Sequence, residues 1–286
     1  MLKDLPFGIE VEMTGITREQ AAKALGKLWN TTPRYSGGTY GAWEVDDAEG
    51  KTWKLMSDAS IDTERWNAGE YQVCYQGVYS VEMVSPKLDY DELPKLQEAV
   101  RTIRKAHAKV NDSCGIHVHV DASRFDNQAL KNAMSIMYSK EALLFQALQV
   151  PESRVERWCK PVRENMLTQA RRMTADASRS RLQHIWYEGN VNIREHYNRT
   201  RYHALNLHSV FYRGTLEYRM FNSTLHAGRV KAYVHLALGI SSQALEQRGS
   251  QMRKTQTDNP AFTFRTWLLR MGMIGEEFKN TREHLL

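Results

Sequence analysis

Ser113-Cys114-Gly115-Ile116-His117-Val118-His119-Val120-Asp121 is the stretch on which the fold turns. Its period is two: Ile116, Val118 and Val120 fall on one side of an extended chain, and His117, His119 and Asp121 on the other. The pattern predicts a buried strand with three ligand-type side chains in a row, each about 7 Å from the next at the usual rise per residue. A set of hydrogen-bonded core histidines stays open for this strand taken alone. Carboxylates repeated in the same manner elsewhere favour a bound cation or phosphate.

Phe7, Ile9, Val11 and Met13 alternate with Gly8, Glu10 and Glu12, so two carboxylates share one face of a second strand. Such a pair needs a cation or a proton if other structure covers it, and an exposed edge face is the alternative. Residues 78–84 read as a third strand with Glu82 inside it, ended by Ser85-Pro86. Residues 204–211 and 215–221 read as an antiparallel pair turning at Tyr212-Arg213-Gly214, with Glu217 and Arg219 alternating against Leu216, Tyr218 and Met220.

Between these segments, residues 17–30 form a predicted helix with Thr17 and Gln20 as a capping-box pair. Residues 34–41 read as a Gly-rich loop without a phosphate-loop pattern, and residues 43–45 and 52–55 as a hairpin. Ser57-Asp58-Ala59-Ser60 is a polar turn, and residues 62–69 read as polar loop. Amphipathic helices are expected over residues 89–110, 126–150 and 226–248, with helical segments over 260–286.

With 286 residues, 42% of them hydrophobic, the chain has ample material for a core, and no repeat or low-complexity tract interrupts it. The formal charge of +6 is local, because residues 151–203 hold eleven Lys and Arg against six Asp and Glu. This segment reads as helical in pieces, around residues 163–172 and 178–187. Its Trp158, Trp186, Tyr187 and Tyr197 come with no recognised binding module, so nucleic acid is not an expected partner. Three cysteines without paired spacing argue for a reducing compartment. The N-terminus lacks an apolar signal core and no apolar run approaches membrane-spanning length, so a cytoplasmic location without membrane attachment is expected.

If the four polar-bearing strands are neighbours in one sheet, Glu10, Glu12, Glu82 and Glu217 converge on one surface with one or both of His117 and His119. Carboxylate oxygens suit Mg²⁺ or Mn²⁺, and an imidazole can join them. Arg219 would then meet a transferring phosphoryl group.

In series, Phe7-Gly8-Ile9-Glu10-Val11-Glu12, Val81-Glu82-Met83-Val84-Ser85-Pro86, Cys114-Gly115-Ile116-His117-Val118-His119-Val120-Asp121, Arg201 with Leu205-Asn206-Leu207, and Thr215-Leu216-Glu217-Tyr218-Arg219-Met220-Phe221 resemble the putative amidoligase family of the carboxylate–amine ligase superfamily. The resemblance implies an α+β fold like that of glutamine synthetase and glutamate–cysteine ligase: a curved antiparallel sheet holding ATP and divalent metals, with helices on its outer side. It implies one catalytic domain over residues 1–286, with a basic helical insertion at about 151–203. By motif position Glu10, His117 and Glu217 would share one metal, and Glu12 and Glu82 would hold the other. Arg219 would face the transferred phosphate, with Glu217 and Glu82 beside it in the catalytic set, and Arg201 and Asn206 would contact nucleotide or phosphate. Two departures concern the second metal: no further acid follows Glu82 at the usual spacing, which leaves Asp58 as a candidate, and the Asp-Gly-Ser turn stands as Asp58-Ala59-Ser60.

The function implied is an ATP- and Mg²⁺-dependent ligase joining small-molecule or peptide carboxylates and amines through an acyl phosphate. A phosphotransferase acting on a guanidino or amino group, and a non-catalytic binding or structural protein, are the alternatives.

Overall fold

The structure is a computed structural model that describes residues 2–174 and 176–286. Met1, at the head of the N-terminal stretch read above, and Ala175, within the basic segment, lie outside the described residues. The chain divides into two compact units. One comprises Pro6–His117 and Asn222–Lys231, the other Met1–Leu5, Val118–Phe221 and Ala232–Leu286.

In the first unit, strand β1 (Phe7–Met13) is followed by helix α1 (Arg18–Trp29). Thr17 caps α1 as the sequence predicts: its side chain accepts the Gln20 N–H, and the Gln20 carboxamide accepts the Thr17 N–H. Strands β2 (Arg34–Gly37), β3 (Ala42–Asp46) and β4 (Thr52–Met56) come next, and the expected hairpin is β3–β4. A separate two-stranded ribbon of β5 (Glu64–Asn67) and β6 (Glu70–Val73) precedes β7 (Val81–Val84). Helix α2 (Leu93–Lys105) then leads to β8 (Gly115–Asp121), whose first three residues belong to this unit.

The order β2-β3-β4-β7-β1 is antiparallel at every pairing. Its register separates two chemistries. Val11, Met83, Leu55 and Trp43 are successive cross-strand partners and make an apolar row. Trp53 belongs to that same face and meets Trp29 of α1 with ring centroids 5.2 Å apart. On the opposite face the outer strands carry an ion-paired ladder, Arg34–Glu44 at 3.0 Å and Glu44–Lys54 at 3.2 Å. Further in, that face carries Glu10, Glu12 and Glu82. Gly26 lets the end of α1 fold back tightly, since a Cβ there would lie 2.7 Å from the Thr31 carbonyl oxygen.

The second unit holds the end of β8, helix α3 (Asn127–Ala147) and three short helices, α4 (Glu152–Arg157), α5 (Glu164–Arg171) and α6 (Arg179–Trp186). Strand β9 (Leu205–Asn206), helix α7 (His208–Arg213) and strand β10 (Thr215–Asn222) follow. Helix α8 (Ala227–Glu246) has its first turn in the other unit, and α9 (Pro260–Arg270) and α10 (Lys279–Leu285) end the chain. Leu216, Tyr218 and Met220 of β10 are fully buried, with the Tyr218 hydroxyl 2.9 Å from that of Ser241 on α8. The α+β class and antiparallel pairing agree with the sequence reading.

Four expectations are corrected. Residues 34–37 are a strand, because their backbone pairs antiparallel along the edge of β3. The polar stretch 62–69 opens the β5–β6 ribbon, fixed by Trp66–Tyr71 edge contact and by Lys109 on Glu64 at 2.5 Å. The helix expected to reach residue 110 ends at Lys105, and His107 adopts a left-handed φ of 68°. Strand pairing after Ala204 lasts only two residues, since the Asn206 side chain accepts the Ser209 N–H and turns the chain into α7, which Gly214 (φ 78°) terminates. No helix among the described residues is long and apolar enough to cross a membrane.

Candidate metal-binding active site

Alternation along β1 places Glu10 and Glu12 on one face, and the β1–β7 register places Glu82 directly opposite Glu12. The start of β8 lies beside β1 and adds His117. All four are buried, at 8, 4, 7 and 4% exposure for Glu10, Glu12, Glu82 and His117. That removes the exposed edge face as a reading of β1.

The imidazole of His117 is set between two carboxylates. Its Nδ1 lies 2.9 Å from Glu10 Oε2 and its Nε2 3.7 Å from Glu12 Oε1. The Gly115 N–H donates to Glu12 Oε2 at 2.5 Å, and the Ser223 hydroxyl donates to the Glu12 carbonyl at 2.6 Å, fixing that residue from both ends. Asp58 reaches the same acids from the turn after β4. Its backbone is clipped to Ser80 by two hydrogen bonds of 2.9 and 2.6 Å, and Ser60 donates to its Oδ1.

Two ligand groups result within this unit. Glu10, Glu82 and His117 each present one donor atom within 4.8 Å of the others, and so do Glu12, Asp58 and Glu82. Glu82 belongs to both. Two carboxylates at that separation repel by roughly 3.5 kcal/mol at an effective dielectric of 20, and four of them meet here with one imidazole. Hard oxygen donors with a single nitrogen fit Mg²⁺ or Mn²⁺ and do not resemble a thiolate- or imidazole-rich zinc site.

Glu217, Arg219, Asn206 and Arg201 belong to the other unit. Asn206 is the cross-strand partner of Glu217 and donates to its Oε2 at 2.7 Å, while Arg219 Nη1 donates to the other oxygen of the same carboxylate. Arg201 and Arg219 stand over one ring, Tyr202, at 5.7 and 5.9 Å from its centroid. Arg201 lies in a 3-10 turn and is only partly covered, whereas Arg219 is 5% exposed.

His119, which the alternation of β8 marks as a ligand-type side chain beside His117, enters a second buried network in that unit. His119 Nδ1 lies 3.0 Å from the Thr215 hydroxyl, which lies 2.8 Å from that of Ser209, and His119 Nε2 is 4.0 Å from Glu217. The alternation that flagged His117 flags His119 equally; nothing in the sequence flags Thr215. His208 is also buried and meets the Tyr187 hydroxyl at 2.5 Å through Nδ1. Burial holds its imidazole below the usual range, with Arg201 adding to the effect.

A search of the curated proteins finds no match. The profile of one family, described as putative amidoligase enzyme, does match, over residues 3–241, and so spans both acidic groups and the Glu217–Arg219 strand. On that match, which covers most of its length, the chain belongs to the putative amidoligase enzyme family.

Proposed function

We propose that this protein is an ATP- and Mg²⁺-dependent (or Mn²⁺-dependent) carboxylate–amine ligase of glutamine synthetase-like fold. The observation that carries the reading is the sharing of Glu82 between the Glu10–His117 and Glu12–Asp58 groups, which would give two adjacent cation positions. Family membership supports the ligase class.

Divalent ions at these positions would neutralise the phosphate oxygens of ATP. Glu10, Glu82 and His117 would hold one ion and Glu12, Asp58 and Glu82 the other. Glu217 is retained as a ligand by its motif position, with Asn206 and Arg219 fixing its two oxygens. A substrate carboxylate oxygen bonds to the γ-phosphorus as the bond to the β-phosphate oxygen breaks, and ADP leaves with the electron pair. An amine nitrogen then attacks the acyl carbon and loses its proton, the carbon–oxygen bond to phosphate breaks, and inorganic phosphate departs. Arg219, buried and charged, would stabilise the transferring phosphoryl group, and Arg201 would contact nucleotide phosphate. Acid and amine are small molecules or peptides in this reading.

The test is a screen of acid and amine pairs for ADP and phosphate release with Mg²⁺-ATP, products identified by mass. Amide formation that disappears in Glu10→Ala and His117→Ala, with circular dichroism unchanged, is expected. A stable phosphorylated product, or full turnover in either variant, contradicts the proposal.

A further inference from the structure

A cleft of about 1040 Å³ opens within the first unit, lined by Asp58 among others and by Glu64 and Val73 of the β5–β6 ribbon. Volume of this order accommodates a ligand of drug or short-peptide size. Asp58, Asp62 and Glu64 are the acids that line it, and Arg18 is the one cation among the described lining residues.

Neither Arg18 nor Glu64 is available to a ligand. The Arg18 guanidinium donates to the carbonyls of Gly41, Gly77 and Ser80 at 2.9, 2.7 and 2.9 Å, holding three walls of the cleft together. Glu64 is taken by Lys109 at 2.5 Å and by Asn111 at 3.0 Å. Asp62 is different: it is exposed, and its carboxylate has no hydrogen-bonding or ionic partner among the described residues. The lining also includes exposed apolar side chains, with Tyr75 at 97%, Val73 at 73% and Val78 at 47% exposure. Large apolar side chains left this bare mark a surface that something covers.

The cleft therefore offers a net negative end and exposed apolar side chains, in a chain whose formal charge is +6. Away from Asp58, an unpaired carboxylate beside bare apolar side chains favours a cationic head on an apolar arm over a second carboxylate. We propose that this cleft seats the amine substrate, a primary amine on an apolar or aromatic arm, with the ammonium at Asp62 and the arm against Tyr75 and Val78. The proposal rests on the ligase reading for its chemistry. Asp58 belongs both to the cleft and to the Glu12–Asp58–Glu82 group, so an amine leaving Asp62 would arrive at the acyl phosphate.

Calorimetry on the full chain without ATP or metal, using n-hexylamine against 1-hexanol and hexanoate, tests it. Hexylamine should bind, with the alcohol and acid at least about tenfold weaker, and Asp62→Asn should remove about that factor. Tyr75→Ala should weaken hexylamine but hardly alter butylamine. Neither residue belongs to the proposed metal groups, so Mg²⁺-ATP turnover at saturating amine should survive with a raised KM for amine. Absence of hexylamine binding, equal affinity for hexanoate, or hexylamine affinity unchanged in both variants overturns the proposal and leaves the ligase reading standing. Hexylamine binding sensitive to Asp62, in a protein that never turns over Mg²⁺-ATP, overturns the ligase reading instead and upholds the amine site.

Discussion

Glu12 and Glu82 are direct cross-strand partners in the antiparallel β1–β7 pair, both less than a tenth exposed. Like charges directly opposite each other destabilise a sheet, and burial raises the cost. The pair is therefore expected to be a local weakness that a divalent cation turns into a bond. Mg²⁺ or Mn²⁺ at about a hundred times Kd should add about 2.7 kcal/mol and raise the melting temperature by about 5 °C. Glu82→Gln should melt no lower than wild type without metal and lose the increment entirely. A Glu82→Gln protein that melts lower without metal, or keeps the increment, contradicts this reading of the pair.

Arg219 is buried, donates to Glu217 and stands over Tyr202, so its planar fork and its charge are both committed. A lysine would keep the charge and lose the fork. Arg219→Lys should lower kcat by about 10²–10³-fold with little change in KM for ATP, the pattern of an interaction made chiefly in the transition state. A change confined to KM would place Arg219 in ground-state binding only.

Two buried groups of the second unit set opposite limbs of the pH–stability curve. Burial pushes the Glu141 carboxyl from the usual 4.5 up to about 8, against the Val162 N–H and Lys254, which favour the anion. The native state holds that proton more tightly, so the stability it confers is complete below pH 4.5 and is lost as pH rises through 8. Burial pulls the His203 imidazole from 6.5 down to about 4, partly offset by the Thr200 carbonyl. Its stabilising contribution is present above pH 6.5 and is lost as pH falls through 4. Glu141→Gln should therefore gain on wild type as pH rises from 5 toward 8, by on the order of 1.4 kcal/mol per pH unit at most. Thermal melts of the two proteins running parallel across that range would rule out the Glu141 assignment.

What could be read from the residues was what alternates. β1, β7 and β8 each place acids or imidazoles on one face and core residues on the other, and the Glu10, Glu82 and His117 group follows from that period together with the sheet order. The capping box at Thr17 was equally visible, because it is a local hydrogen-bond pattern. β2, β5 and β6 were not, since Arg34–Gly37, Glu64–Asn67 and Glu70–Val73 are only four residues long and largely exposed, too short for a two-residue period to stand out. The cleft beside Asp58 was hidden for the same reason, being lined in part by the β5–β6 ribbon. The first part of α7 reads as strand in the sequence because Val210 and Phe211 favour strands intrinsically, whereas Gly214 and the Asn206 turn decide the backbone.

Glu82 is proposed to serve two cations at once. Crystals grown with Mn²⁺ and measured for anomalous scattering test it directly. Two Mn²⁺ peaks are expected, one ligated by Glu10, Glu82 and His117 and one by Glu12, Asp58 and Glu82. Saturating Mn²⁺ that leaves Glu82 unligated, or is bound only elsewhere on the chain, would contradict it.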